Sequence, residues 1–255
     1  MSSSVFDTHA HYDDRAFDED RADLLRALPQ QGVVGVINCA CDIPSCQTTL
    51  ALSEQYDYIY AAYGIHPEEC ESFGDIRTLR DALLPFLRHP KCVAVGEIGL
   101  DYHWDIDRQL QTEFFKAQIE IAKETDLPVI IHDRDAHGDV MQILRNTCPR
   151  GVLHCFSGSA ETAREAVALG MYIGFGGAVT FKNARKPLEA AAAVPLDRLL
   201  LETDCPYMAP VPFRGKRCDS SLIPYAAEKI AALHGVTTQK LLQITAENAR
   251  KVFGI

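Results

Sequence analysis

Short apolar, β-branched runs recur along the chain and are separated by amphipathic stretches, the alternation that a parallel sheet with crossover helices requires. Eight runs read as strands: VFDTHA (5–10), VVGVINCA (33–40), YIYAAYGI (58–65), CVAVGEIG (92–99), PVIIH (128–132), GVLHC (151–155), MYIGFG (171–176) and RLLLET (198–203). Between the fourth and fifth, RQLQTEFFKAQIEIAKETD carries Leu110, Phe114, Ala117 and Ile121 at helical spacing, one apolar stripe of a crossover helix. Weaker stripes fill most other gaps, and TTQKLLQITAENARKVF reads as helices closing the outside. Eight strand–helix units in 255 residues predict an α/β fold, a (β/α)8 TIM-type barrel with an additional C-terminal helix; a doubly wound open sheet is the competing arrangement. With no fixed-period repeat, low-complexity tract or linker, residues 1–255 read as a single domain.

The residues that end these runs carry the chemistry. His9 and His11 close the first, His66 follows the third, Glu97 interrupts the fourth, His132 ends the fifth, His154 nearly ends the sixth and Asp204 follows the eighth. In a barrel all these ends open onto one rim, where active sites of this fold are assembled. His9 and His11, two apart on a strand, share a face and so present a metal-ligand geometry. Each residue alone reads equally well as a hydrogen-bonded or solvated side chain; together they form a set suited to one or two divalent cations of the Zn, Mn, Fe or Co kind, with Mg possible if water completes the shell. Two cations would outweigh the charges of Glu97 and Asp204, and the remainder would favour a phosphate. His89, His137 and His234 sit in helix or loop contexts without such a role, and His103, in LDYHW, stays open between substrate contact and surface residue.

Composition narrows the reading. A chain that is 47% hydrophobic and 24% charged, with no apolar run approaching a membrane span and no basic-then-apolar leader at its start, is expected to be soluble and cytoplasmic, with no membrane partner and a monomer as the default state. Nine scattered cysteines fit reduced thiols. Cys39, Cys41 and Cys46 lack a second CxxC or a nearby sequence histidine and read as buried small hydrophobes rather than a thiolate site. The net charge of -10 argues against a general coat for nucleic acid. It leaves room for a local basic face: Lys182, Arg185 and Lys186 follow the seventh strand, and Arg214, Lys216 and Arg217 follow the eighth, on the rim where barrels often hold phosphate. Phe181, Phe213 and Tyr207 beside these cations either stack on unpaired bases or belong to the core, and Tyr102 and Trp104 are weaker candidates of the same kind.

The motifs DTHAHYD, GIHP, VGEIGLDYH, the Gln111-to-Gln118 helix, PVIIHDRDA, HCFSGS, YIGFGGAVTFKNA, LLETDCPY, RGKR and ENARKVF follow in order nearly end to end. In this the chain resembles the TatD-type metal-dependent deoxyribonucleases, within the wider amidohydrolase-like barrels. The resemblance implies two divalent metal ions (Zn, Mg or Mn) and hydrolysis of DNA phosphodiesters, often from a single-stranded 3′ end, in the setting of DNA repair. Carried over by position, His9, His11, Glu97 and Asp204 look like one metal site and Glu97, His132 and His154 like the other, with Glu97 bridging. Asp204, Glu97 and His66 are the expected catalytic residues, Asp204 orienting a metal-activated water or taking its proton. Lys182, Arg185, Lys186, Arg214, Lys216, Arg217 and Tyr207 are the expected substrate contacts. Wider relatives often bridge with a carboxylated lysine, so Glu97 argues against a cyclic-amide hydrolase; an ester-bond deacylase acting on charged transfer RNA is the other activity the resemblance permits. Two departures bear on substrate contact: Glu68 follows Pro67 where the family often has histidine, and Cys218-Asp219-Ser220-Ser221 replaces an expected Asn and Pro.

Overall fold

All eight apolar runs become strands of one parallel sheet with neighbours in chain order: β1 (Val5–Ala10), β2 (Val33–Cys39), β3 (Ile59–Tyr63), β4 (Cys92–Asp101), β5 (Val129–Arg134), β6 (Gly151–Leu153), β7 (Tyr172–Phe175) and β8 (Leu199–Leu201). A computed structural model describes residues 4–255; residues 1–3, part of the stretch read as lacking a leader, lie outside the described residues. The helices are α1 (Arg21–Ala27), α2 (Ile43–Gln55), α3 (Cys70–Phe73), α4 (Leu79–Leu87), α5 (Arg108–Glu124), α6 (His137–Thr147), α7 (Ala160–Ala168), α8 (Arg185–Ala193), α9 (Ile223–Leu233) and α10 (Thr238–Phe253). The stretch read as several closing helices is a single one, α10: Thr237 caps it by accepting from Lys240 N–H, no glycine or proline interrupts it, and Gly254 ends it in the left-handed conformation. Among the described residues no helix is long and apolar enough to cross a membrane.

The sheet is a nearly closed barrel. β8 reaches β1 through a parallel bridge between Ala10 and Cys205, with Asp204 N–H donating to the His9 carbonyl (3.0 Å) and His11 N–H to the Cys205 carbonyl (2.9 Å). Buried Asp7 seals the seam below, accepting from Thr203 N–H (3.0 Å), Thr203 Oγ1 (2.7 Å) and Ser220 Oγ (2.7 Å). The departing stretch Cys218–Ser221 therefore anchors the barrel: Cys218 and Ser220 are buried, and Ser220 also meets the Tyr12 hydroxyl at 2.7 Å.

Alternation along the strands sorts two cores. Ile59, Ala61, Tyr63, Val129, Ile131, Ile173, Phe175, Leu199 and Leu201 pack outward with the helices. Every strand contributes to a second cluster, Phe6, Ile37 with Cys39, Ala62, Val93 with Ala94, Ile130, Val152, Tyr172 and Leu200, which joins Val252 and Phe253 of α10 and fills the lumen. Two-residue steps up from this layer lead from Ile130 to His132, from Val152 to His154 and from Leu200 through Glu202 to Asp204. The same step fails on β1 and β4, where Phe6 and Ala94 differ in parity from His9 and Glu97. Register shifts between Asp7 and Ala10, and between Val95 and Ile98, turn the odd positions inward there.

α5 holds the rim from outside. Buried Gln118 donates to the Ile65 carbonyl (3.0 Å) and accepts from Ile65 N–H (2.7 Å), just before His66; Gln111, two turns earlier, does the same for Asp101 (2.9 and 2.8 Å). Removing either amide strands two buried backbone groups. Gln118→Leu is expected to lower unfolding stability by roughly 2 kcal/mol or more in urea denaturation, whereas Gln109→Leu, on the exposed side of α5, stays within about 0.5 kcal/mol of the parent. Equal effects would refute the clamp.

Candidate metal centre

The seven strand-end side chains singled out in the sequence meet at the C-terminal rim around Glu97, which is 3% exposed. Glu97 Oε2 lies 3.1 Å from His9 Nε2 and 3.5 Å from His11 Nε2. Its Oε1 lies 2.7 Å from His154 Nε2, 2.8 Å from His132 Nδ1 and 3.5 Å from His66 Nε2. Asp204 Oδ1 stands 3.5 Å from His11 Nε2 and 3.8 Å from His9 Nε2 on the open side. A glycine makes this convergence possible: at Gly99, with φ of 149°, a Cβ would come within 2.0 Å of the His132 carbonyl oxygen, so only glycine lets β4 lie this close to β5.

Outer partners decide which imidazole nitrogen offers a lone pair. His11 Nδ1 donates to the Cys39 carbonyl (2.8 Å), which leaves Nε2 free toward Glu97. His132 Nε2 donates to buried Asp101 (2.9 Å), which leaves Nδ1 free. His154 Nδ1 faces the Glu202 carboxylate at 3.6 Å, beyond hydrogen-bond reach, while its Nε2 points at Glu97, and His9 Nδ1 meets Cys39 Sγ at 3.4 Å, a partner able to accept its proton. Glu202 is itself held by Cys155 N–H and lies over Gly174, where a Cβ would come within 2.3 Å of Oε2. His66 is the reverse: its Nδ1 accepts from Glu68 N–H (3.2 Å), so Nε2 carries the proton. Glu68 thus contributes its backbone amide at the position where the family often has histidine.

Electrostatics follow from this packing. Burial pushes the Glu97 carboxyl up, but His154, His9 and His66 outweigh it and hold the group well below the usual range; burial of Asp204 is likewise outweighed by His11, His9 and His154. Burial and neighbouring His154 lower His9. For His132, burial is outweighed by Asp101 and Glu97, which raise it to about 9.

The donor set fits divalent cations: imidazole nitrogens and carboxylate oxygens converge on one point, and the outer nitrogens of His11 and His132 are held by the Cys39 carbonyl and Asp101. Within each of three groups, His9–His11–Glu97, His9–His154–Asp204 and His66–Glu97–His132, the ligand atoms lie within 4.8 Å of one another. Asp101 and Glu202 are absent from the sequence-derived set. Their signal was strand parity, four residues beyond Glu97 and two before Asp204. Cys39 and Cys46 are buried as expected, whereas Cys41 faces the cleft, its thiol pushed up to about 12 by burial.

The expected substrate contacts are placed differently from one another. Tyr207 lines the cleft over the centre, its hydroxyl donating to Asp14 (3.2 Å). Arg217 does not line it: its guanidinium forks onto Asp20 (2.7 and 2.6 Å), donates to the Ala16 carbonyl and covers Phe17. Lys182, Arg214 and Lys216 on outer loops and Arg185 and Lys186 at the start of α8 are exposed and do not line the cleft; Arg185 lies 3.7 Å from Glu189 and Arg214 covers half-buried Phe181. Phe213 packs on Tyr225. Arg134, absent from the residues singled out in the sequence, is among the described residues the one arginine or lysine lining the cleft, and Trp104 lines it too. His103 is exposed, 3.8 Å from Asp135.

A parallel barrel with this His, Asp and Glu cluster at its C-terminal rim defines a metal-dependent hydrolase. The TatD related DNase family model matches residues 6–254, and the chain belongs to that family. It is 43% identical to the uncharacterized metal-dependent hydrolase YabD of Bacillus subtilis (strain 168), over 98% of this chain and 99% of that protein. It is 31% identical to the 3′-5′ ssDNA/RNA exonuclease TatD of Klebsiella pneumoniae (strain 342), over 98% of each. The crystal structure of YjjV, a TatD homologue from Escherichia coli K12, superposes with a TM-score of 0.91 at 35% identity, covering 98% of each chain.

Because folding raises His132, its pairing with Asp101 and Glu97 contributes stability that is complete below pH 6.5 and lost as the pH rises through about 9. Metal uptake needs the neutral ring, so stabilisation by added metal grows across the same window. In urea denaturation with chelator, the parent should lose stability relative to His132→Asn between these pH values, and added Zn or Mn should reverse the trend. A parent that gains on His132→Asn under chelation would contradict the pairing.

Proposed function

We propose that this chain hydrolyses phosphodiester bonds of single-stranded DNA stepwise from the 3′ end, with two divalent cations held on either oxygen of Glu97. The observation that supports this best is the convergence of ring nitrogens on one carboxylate: Nε2 of His9, His11 and His154 and Nδ1 of His132 all lie within 3.5 Å of the Glu97 oxygens, where cations would replace the protons they share, while His66, whose Nδ1 accepts from Glu68 N–H, directs a proton there. His9, His11 and Asp204 would hold one cation, and His132 and His154 the other. Cations so held supply the Lewis acidity that polarises a phosphoryl oxygen and lowers the pKa of water. Asp204, at the open side and ionised, is placed to orient the attacking water and take its proton. His66 Nε2–H donates to an oxygen of the phosphate as charge builds there. The Klebsiella relative's name joins single-stranded RNA to DNA as a substrate, and trimming of damaged strand ends is the setting in which such an activity would serve DNA repair.

The test is a denaturing-gel time course on a 5′-labelled single strand, with chelator-stripped protein and added Mg, Mn or Zn. Stepwise shortening that requires metal and disappears in Glu97→Ala is expected. Asp204→Asn should lower kcat by on the order of a hundredfold or more while strand affinity changes little, as loss of a general base does. A strand left intact under every metal would refute the nuclease reading, and release of an aminoacyl group from charged transfer RNA would then replace it.

A further inference from the structure

The cleft above the centre, about 790 Å³, is divided by charge. Strands β4 and β8 stand four places apart in a ring of eight, so the loops that follow them face each other across the mouth. From these loops come two of the chain's exposed large aromatics, Trp104 at 50% and Tyr207 at 58% exposure, both lining the cleft. Between them on one side, after β1, β2 and β3, the lining is acidic: Asp13, Asp14, Asp42, Glu68 and Glu69. None of the five has an arginine or lysine ion-pair partner among the described residues; Asp13 meets Asn38, Asp14 the Tyr207 hydroxyl and Asp42 the first turn of α2. On the other side, after β5, Arg134 lies against the Trp104 ring (5.9 Å), and the one carboxylate beside it in the lining, Asp133, is paired with His137 Nδ1 (2.6 Å) at the start of α6.

We propose that Trp104 and Tyr207 form the stacking walls for the 3′-terminal base of a strand whose terminal sugar bears a free hydroxyl, and that this polarised mouth rejects a 3′-phosphate. This rests on the nuclease reading and names the strand end it takes. An unphosphorylated terminal nucleoside is the one uncharged piece of a nucleic-acid strand. Its base has a π-face for an aromatic wall, and its hydroxyl is a donor for carboxylates. Every further nucleotide brings a phosphate, which the acidic arc repels and Arg134 attracts. The strand therefore leaves across the β5 side with its end toward β1–β3. End chemistry then sets polarity: a hydroxyl end enters, and a phosphorylated end is turned away.

The experiment compares 3′-hydroxyl and 3′-phosphoryl forms of one 5′-labelled single strand in two readouts. In chelator, fluorescence anisotropy should show the hydroxyl form bound about tenfold tighter. Glu68→Gln with Glu69→Gln should shrink that ratio several-fold. Trp104→Ala should weaken the hydroxyl form about tenfold, with Trp104→Phe recovering most of the loss. With metal added, the hydroxyl form should be shortened at least about tenfold faster. Equal affinities for the two ends, or a preference for the phosphoryl end, would overturn the proposal. A strand left intact under every metal would overturn the nuclease reading instead, whatever the affinities.

Discussion

One carboxylate surrounded by five imidazoles governs this molecule. Glu97 is almost wholly buried; its Oε2 is met by the two rings at the end of β1, and its Oε1 by rings at the ends of β3, β5 and β6. A carboxylate removed from water without compensation would take up a proton; here the surrounding rings keep it ionised. A donor cluster this dense places lone pairs next to one another, as with His9 Nε2 and His11 Nε2 at 3.0 Å, and is completed by cations rather than by further protons.

The barrel is built to hold that cluster still. Side chains from β1, β4, β5 and β6 and from the ends of β3 and β8 reach one point because the sheet closes and all strands run the same way. Strict alternation alone would not aim them: two register shifts bring His9, His11 and Glu97 to the inside. Behind the rings stand Cys39 and Asp101, which fix tautomers, and Glu202, which faces His154, and behind these the amides of α5 and the bare surfaces of Gly99 and Gly174. Each layer removes a freedom from the one in front, so the centre needs little rearrangement when charge develops.

Charge outside the centre sets what can approach it. The protein is acidic overall, and its cleft is acidic on one arc, yet the substrate class supported by the site is an anion. The two are compatible if cations offset the donor set and the acidic arc meets only an uncharged end. The basic residues after β7 and β8 sit farther out, away from the cleft lining, and Arg217 is engaged with Asp20.

The strands, their order of occurrence and the identity of the rim side chains were legible along the chain because each depends on local pattern: apolar alternation, helical spacing and a polar residue where an apolar run stops. His9, His11, His66, Glu97, His132, His154 and Asp204 could be named this way, with the barrel supplying the reason they meet. Asp101 and Glu202 lay on the same parity but carry no mark of their own, since a carboxylate behind a histidine matters only when the histidine's orientation is known. Sequence position could not show that Arg217 turns to Asp20, that Cys218–Ser221 locks the β1–β8 seam, or that Trp104, Tyr207 and Arg134 share a cleft. Those facts join residues up to about two hundred positions apart, and pairing at such distance is fixed by closure of the barrel, not by neighbours in the chain. Which side chains line the rim follows from local pattern; which nitrogen of each ring faces inward and which charges face the cleft follow only from folding, because both depend on partners brought by other strands.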